Sequence, residues 1–262
     1  MTEDSSLAHL IVHREGSILS LRLNQPDSFN ALTEPMLVSL VEQLRLASTS
    51  SDVRVVLITG EGLAFSAGAD LSGDNPQDKY DAKSVDAANL VIQAVLDCDK
   101  PVVCGLNGVA AGVGFSLALA CDLVAAKESA ALTFGFGAIG LMPDGGASLL
   151  VPTSIGRAQA MRMALLSEVV GAKEALAMGL VSMVFGDEEY AAKLDALLQR
   201  LSRLAPLALT ATKRAVNAAT LDLLPDIYAR ERAGQAMLLR TSDAAEGMRA
   251  FADKRKPSFT GQ

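Results

Sequence analysis

Lys100–Asp122 reads KPVVCGLNGVAAGVGFSLALACD, and its reading decides the fold class. Residues 101–121 form a run of 21 without a charge, long enough to span a bilayer. The run also holds Pro101, Asn107, Gly105, Gly108, Gly112 and Gly114, an awkward set for a spanning helix. A buried strand over Val102–Leu106, a Gly-rich turn and a compact apolar helix over Gly112–Ala120 account for it better.

Working outward, Leu123–Ala126 reads as a further strand and Val53–Thr59 (VRVVLIT) as another of buried type, closed by the turn Gly60-Glu61-Gly62. Ser17–Leu23 (SILSLRL) alternates as a strand does. Thr33 is placed to cap a helix carrying Pro35 in its first turn and Leu37, Leu40, Val41 and Leu44 at helical spacing. Ala87–Cys98 reads as a second helix. Strand–helix alternation of this kind predicts an α/β layer built from crossovers. Beyond Gly186 the pattern becomes helical: Leu194, Leu197, Leu198, Leu201 and Leu204 share a stripe, Pro206 restarts a helix, and helical segments run to about Ala252. These stripes either cap the core or meet another subunit.

The chain has 262 residues, half of them apolar, with a net charge of −7. That length suits one large domain, or a domain with an appendage, and the apolar share excludes a disordered chain. The acidic balance argues against general nucleic-acid binding and against an anionic membrane surface. The acidic, polar N-terminus resembles neither a secretory signal nor a transit peptide, so the expected location is the cytoplasm. Three cysteines (Cys98, Cys104, Cys121) without a CxxC suit a reducing compartment. The two histidines, His9 and His13, precede the first strong strand pattern, which disfavours Ser-His-Asp or Cys-His chemistry and leaves too few ligands for a metal site.

Three Gly-rich loops follow strands: Ala64–Asp70 (AFSAGAD), Asn107–Gly114 (NGVAAGVG) and Gly140–Gly146 (GLMPDGG). In α/β sheets ligands bind beyond the carboxyl ends of strands, small residues allow close backbone approach, and the second loop enters a helix whose free N–H groups face an anion. Such loops are more often plain tight turns. Charge isolation is sharper: across residues 129–156, Asp144 is the one ionisable side chain. Apolar surroundings raise a carboxylate's pKa toward neutrality, where it can exchange protons. The ordinary alternative makes Asp144 the N-cap of a helix beginning at Gly145, within the turn Pro143-Asp144-Gly145.

Taken together, Val55–Leu71 (VVLITGEGLAFSAGADL) and Lys100–Asp122 resemble the two signatures of the crotonase, or enoyl-CoA hydratase/isomerase, superfamily. Asn30-Ala31-Leu32, Phe134–Gly146, Ala172–Val181, Lys213–Asn217 and Gly247–Phe259 match as well, in order along nearly the whole chain. The resemblance implies a repeated ββα spiral core, set at residues 1–200, and a C-terminal helical trimerisation region, residues 201–262. It implies an acyl-CoA thioester substrate, coenzyme A being part of that substrate and no separate cofactor being needed, and a homotrimer or dimer of trimers. It assigns the backbone N–H groups of Ala67 and Val113 to an oxyanion hole, substrate contacts to Gly68, Ala69, Asp70, Leu71, Gly112 and Ser116, and contacts from a neighbouring subunit to Phe251 and Lys254. The polar segment Ser72–Ser84 falls where the family shapes its acyl pocket.

Departures from the family pattern decide the expected chemistry. Ser116 and Ala138 stand where hydratases carry two Glu residues. Asp144 stands where several isomerases, and a dehalogenase branch, place a carboxylate; that branch adds a His on an earlier helix that this chain lacks. The motif IGLMPDGG resembles the phenylacetate-pathway isomerase group. The expectation is therefore a 3-enoyl to 2-enoyl shift with Asp144 as proton shuttle. The alternatives are an enoyl-CoA hydratase using Asp70 or Asp74, an acyl-CoA-binding protein without turnover, and RNA binding as one branch of the superfamily has, which the acidic charge disfavours.

Overall fold

A computed structural model describes residues 2–71 and 80–262, the first strand by its backbone. Two sheets form its centre. Strands β1 (Thr2–Leu7), β2 (Leu10–Glu15) and β3 (Ile18–Leu23) make an antiparallel meander. β3 then pairs in parallel with β4 (Val55–Gly60), β4 with β6 (Val102–Leu106), β6 with β8 (Leu123–Lys127), and β8 with β11 (Met183–Phe185). The second sheet holds β5 (Ala64–Ser66), β7 (Val109–Ala111) and β9 (Ala131–Thr133) in parallel, with β10 (Val169–Gly171) antiparallel at its edge.

The chain thus visits the large sheet, then the small one, then a helix. β4 and β5 precede α2 (Ala82–Asp97), β6 and β7 precede α3 (Val113–Ala120), and β8 and β9 precede α4 (Ala147–Leu166). This is the ββα spiral that the signatures imply. β4 and β6 are buried along their whole length, which explains why their sequences are uncharged and almost wholly apolar. The uncharged run 101–121 resolves into β6, β7 and α3, and among the described residues no helix is long and apolar enough to cross a membrane.

Two helices differ from the sequence reading. α1 (Glu34–Thr49) does start after Thr33, but the Thr33 hydroxyl makes no cap bond. α2 begins five residues before Ala87, because Asp81 and Ser84 form a capping box: the Asp81 carboxylate accepts from the N–H groups of Lys83 and Ser84. Ala82–Ser84 are therefore helical, and residues 72–79 of the expected pocket loop lie outside the described residues.

The C-terminal helices are built into the core. α6 (Tyr190–Ser202) seals the outer face of the large sheet, packing Tyr190, Leu194 and Leu198 over Val55, Leu57 and Val103. α7 (Pro206–Thr220) is anchored by Lys213, whose side chain is 7% exposed. Its ammonium pairs with Asp122 at 2.9 Å and donates to the Val95 carbonyl at 2.8 Å. That contact explains the Lys of the Lys213–Asn217 motif structurally. α8 (Leu224–Leu238) crosses α2 and α4, and α9 (Ser242–Ala252) packs on a single 3-10 turn at Gly137–Ile139.

Candidate active site

Two buried or half-buried asparagines hold the first loop against the second. Asn30, in the left-handed region at φ 55°, donates through Nδ2 to the carbonyls of Glu61 and Ala64, both at 2.8 Å. Asn107 Nδ2 donates to Gly62 and Ala64, each at 3.1 Å, while its Oδ1 accepts from the Gly60 N–H at 3.0 Å. The Ser66 hydroxyl donates to the Asn30 carbonyl at 2.8 Å. The loop carrying Ala67–Asp70 is thereby fixed at its root. Neither asparagine gives this away in sequence, except as part of a matched motif.

Small residues then let the loops touch. A Cβ on Gly68, whose φ is +88°, would stand 2.7 Å from the Ala111 carbonyl and 3.4 Å from the Gly112 Cα. Gly112 opens α3 with φ 54° and ψ −132°, a conformation that suits glycine. A Cβ on Gly145 would meet the Ser116 Cβ at 2.9 Å and Val113 Cγ2 at 3.5 Å. All three Gly-rich loops therefore converge at the N-terminus of α3, where the helix dipole favours negative charge.

The donors there can be sorted by what they already bond. The Ala67 N–H donates to the Phe29 carbonyl at 2.9 Å, so it is not free to hold an oxyanion, which corrects the expectation for that residue. The Gly68 N–H donates to Ser66 Oγ at 3.2 Å. The Ala69 and Val113 N–H groups have no acceptor among the described residues. Sequence spacing cannot separate Ala67 from Ala69, because both are Ala in a loop of small residues; the direction of each N–H separates them.

Asp144 lies on the third loop and is 8% exposed. It is not a helix cap. Ser116 Oγ donates to its backbone carbonyl at 2.8 Å. Its carboxylate Oδ2 accepts from Gln235 Nε2 at 2.8 Å, and Oδ1 is buried without a hydrogen-bond partner. The cap of α4 comes instead from α8: Glu231 Oε2 accepts from the Gly146 N–H at 2.7 Å, and Oε1 from the Ser148 N–H at 2.9 Å. Burial raises the Asp144 pKa to about 7, the Gln235 hydrogen bond opposes that rise, and the nearby Glu231 charge adds to it. Burial likewise pushes Glu231 above the usual carboxylate range, against the pull of its two backbone donors.

The other candidates fall in different places. Asp70 accepts from the Tyr80 hydroxyl through its backbone carbonyl at 2.7 Å, and Asp74 lies outside the described residues. Phe251, 62% exposed, and Lys254 lie at and just past the end of α9. His9 Nδ1 meets Gln25 Nε2 at 2.8 Å, and His13 sits in β2 opposite Ser20. Glu231 and Gln235 were invisible to the sequence reading, since they lie 85 and 91 residues from the groups they bind.

The model of the enoyl-CoA hydratase/isomerase family matches residues 13–262. This chain belongs to that family. As a family member it is an acyl-CoA enzyme. It is 34% identical over 258 residues to the 1,2-epoxyphenylacetyl-CoA isomerase of Escherichia coli (strain K12), covering 97% of this chain and 98% of that one. It is 38% identical over 244 residues to a probable enoyl-CoA hydratase of Rhodobacter capsulatus, covering 92% and 94%. Among solved structures, an enoyl-CoA hydratase from Mycobacterium avium subsp. paratuberculosis K-10 superposes with a TM-score of 0.91 at 42% identity, covering 97% of this chain and all of that one. The relatives of this hydratase/isomerase family member thus carry both reaction names.

Proposed function

We propose that this enzyme moves the C=C bond of a 3-enoyl-CoA to the 2-position. The observation that carries the reading is that Asp144, whose Oδ1 is buried without a partner, sits on the loop that packs against the first turn of α3. Its neighbours are committed elsewhere: the Ser116 hydroxyl donates to a carbonyl and both Glu231 oxygens cap α4. Asp144 takes a proton from C2, the electron pair delocalises through C3=C4 and the carbonyl, and the dienolate oxygen rests on the N–H groups of Ala69 and Val113. The acid form then returns the proton at C4. One proton leaves and one arrives, so the product has the mass of the substrate and no cofactor enters the balance. A pKa about 7 matches the base to its working pH.

Hydration is the second reading, favoured by the names of several relatives. It needs a second acid/base, to take the proton of the attacking water, that Ser116 and Ala138 cannot supply. The reading extends to assembly as a trimer or dimer of trimers: Leu207, Val216 and Met237 are exposed apolar side chains on α7 and α8, and Phe251 and Lys254 are accessible to a neighbour's CoA.

The test is turnover of a 3-enoyl-CoA and a 2-enoyl-CoA, followed by the ultraviolet band of the conjugated thioester and by product mass. Conjugation without a mass change supports the shift. A product heavier by one water overturns it, and no turnover of either leaves an acyl-CoA-binding role. Ser116→Ala is expected to cost about 1 kcal/mol of stability, for one lost hydrogen bond, and to keep kcat within about tenfold. A collapse of kcat at unchanged melting temperature would put Ser116 in the chemistry.

A further inference from the structure

Gln235 is 2% exposed on α8 and its amide is held at both ends. Oε1 accepts from the Met142 N–H at 3.1 Å. A backbone N–H can only donate, so the amide oxygen must face it and Nε2 must face Asp144. Nε2 donates to Asp144 Oδ2 at 2.8 Å, and Asp144 Oδ1 stays buried without a partner. A buried polar atom left open in this way is costly unless a ligand or water meets it.

We propose that Gln235 is a positioning residue that ties Asp144 by Oδ2, so that Oδ1 alone carries the proton between the two carbons. The inference rests on the isomerase reading. When Oδ1 is protonated, Oδ2 becomes the carbonyl oxygen and still accepts from Gln235. The carboxyl group need not rotate between taking the proton and returning it. The same hydrogen bond favours the ionised form and opposes the effect of burial. The charged group acting on Asp144 is Glu231, also on α8; α3 presents Val113 and Ser116 to this loop, neither of them titratable in the working range.

Gln235→Met keeps the volume and removes both hydrogen bonds. Gln235→Glu keeps an acceptor for Met142 and removes the donor to Asp144. The Asp144 ionisation is read directly by carbon-13 NMR of labelled aspartate carboxyls, with Asp144→Asn assigning the signal. In Gln235→Met the midpoint is expected to rise by about one pH unit, the size of one charge-assisted hydrogen bond, and in Gln235→Glu by at least as much. In turnover, the acidic limb of kcat moves up with it. Activity near pH 7 falls about fivefold and recovers near pH 9, while KM holds. A merely structural role would lower kcat at every pH. A folded Gln235→Met or Gln235→Glu with an unmoved midpoint overturns the inference, with Asp144→Asn still inactive. Failure of the isomerase reading has a different signature: Asp144→Asn would isomerise as fast as wild type.

Discussion

Asp144→Asn is expected to lower kcat for a 3-enoyl-CoA by about 10³-fold while KM stays within a few-fold, because a positioned acid/base contributes 10²–10⁴-fold and binding does not need its charge. The amide keeps the size of the side chain and can still meet Gln235, but it cannot take a proton. Linkage separates this loss from unfolding. The folded pKa of Asp144 stands at about 7, above the ordinary carboxylate range of an unfolded chain. A raised pKa of this kind contributes stability below the unfolded value, and that contribution is lost as pH rises through about 7. Asparagine never ionises, so the variant escapes the penalty and should melt at or above wild type near pH 8. Wild-type kcat should in turn fall as pH drops below about 7, as the base is protonated. Residual activity within tenfold of wild type would remove Asp144 from the mechanism. A lower melting temperature would make the loss structural.

Sequence reading succeeded where one element states its own environment. β4 and β6 are almost wholly apolar because both faces are buried, and α3 is apolar but for Ser116 for the same reason. The isolation of Asp144 in the charge pattern matches its burial, although α8 brings Gln235 and Glu231 beside it. The short strands β5, β7 and β9 are three residues each, too brief for a periodic signal; β5 and β7 read as parts of the Gly-rich loops, and β9 carries no reading of its own. The error at Ala67 has a geometric cause: its N–H turns to Phe29, a partner 38 positions away in sequence. α8 was the least legible element. Its sequence LPDIYARERAGQAML carries four charged residues, yet Glu231 and Gln235, one helical turn apart, are buried against the loop of Asp144. Local pattern cannot reveal a polar residue whose partners arrive from another part of the chain.

Glu231→Gln should lower stability by roughly 2–3 kcal/mol, the cost of an unmet buried donor together with a lost charge-assisted bond. Glu231 is 1% exposed and both its oxygens accept backbone N–H groups at the start of α4. Glutamine fills the same space but offers one oxygen, so its amide nitrogen must face either the Gly146 or the Ser148 N–H. For a chain of this size the melting temperature should fall by about 4–12 °C, at about 2–4 °C per kcal/mol. The same change removes a negative charge that helps raise the Asp144 pKa. The acidic limb of kcat should therefore move to lower pH, opposite to the shift expected from Gln235→Met. Two substitutions one helical turn apart on α8 would then drive one catalytic limb in opposite directions, which a general loosening of the helix cannot do. Unchanged melting of Glu231→Gln would show that α4 does not depend on this cap. A limb moving upward would show that the loop, and not the Glu231 charge, governs Asp144.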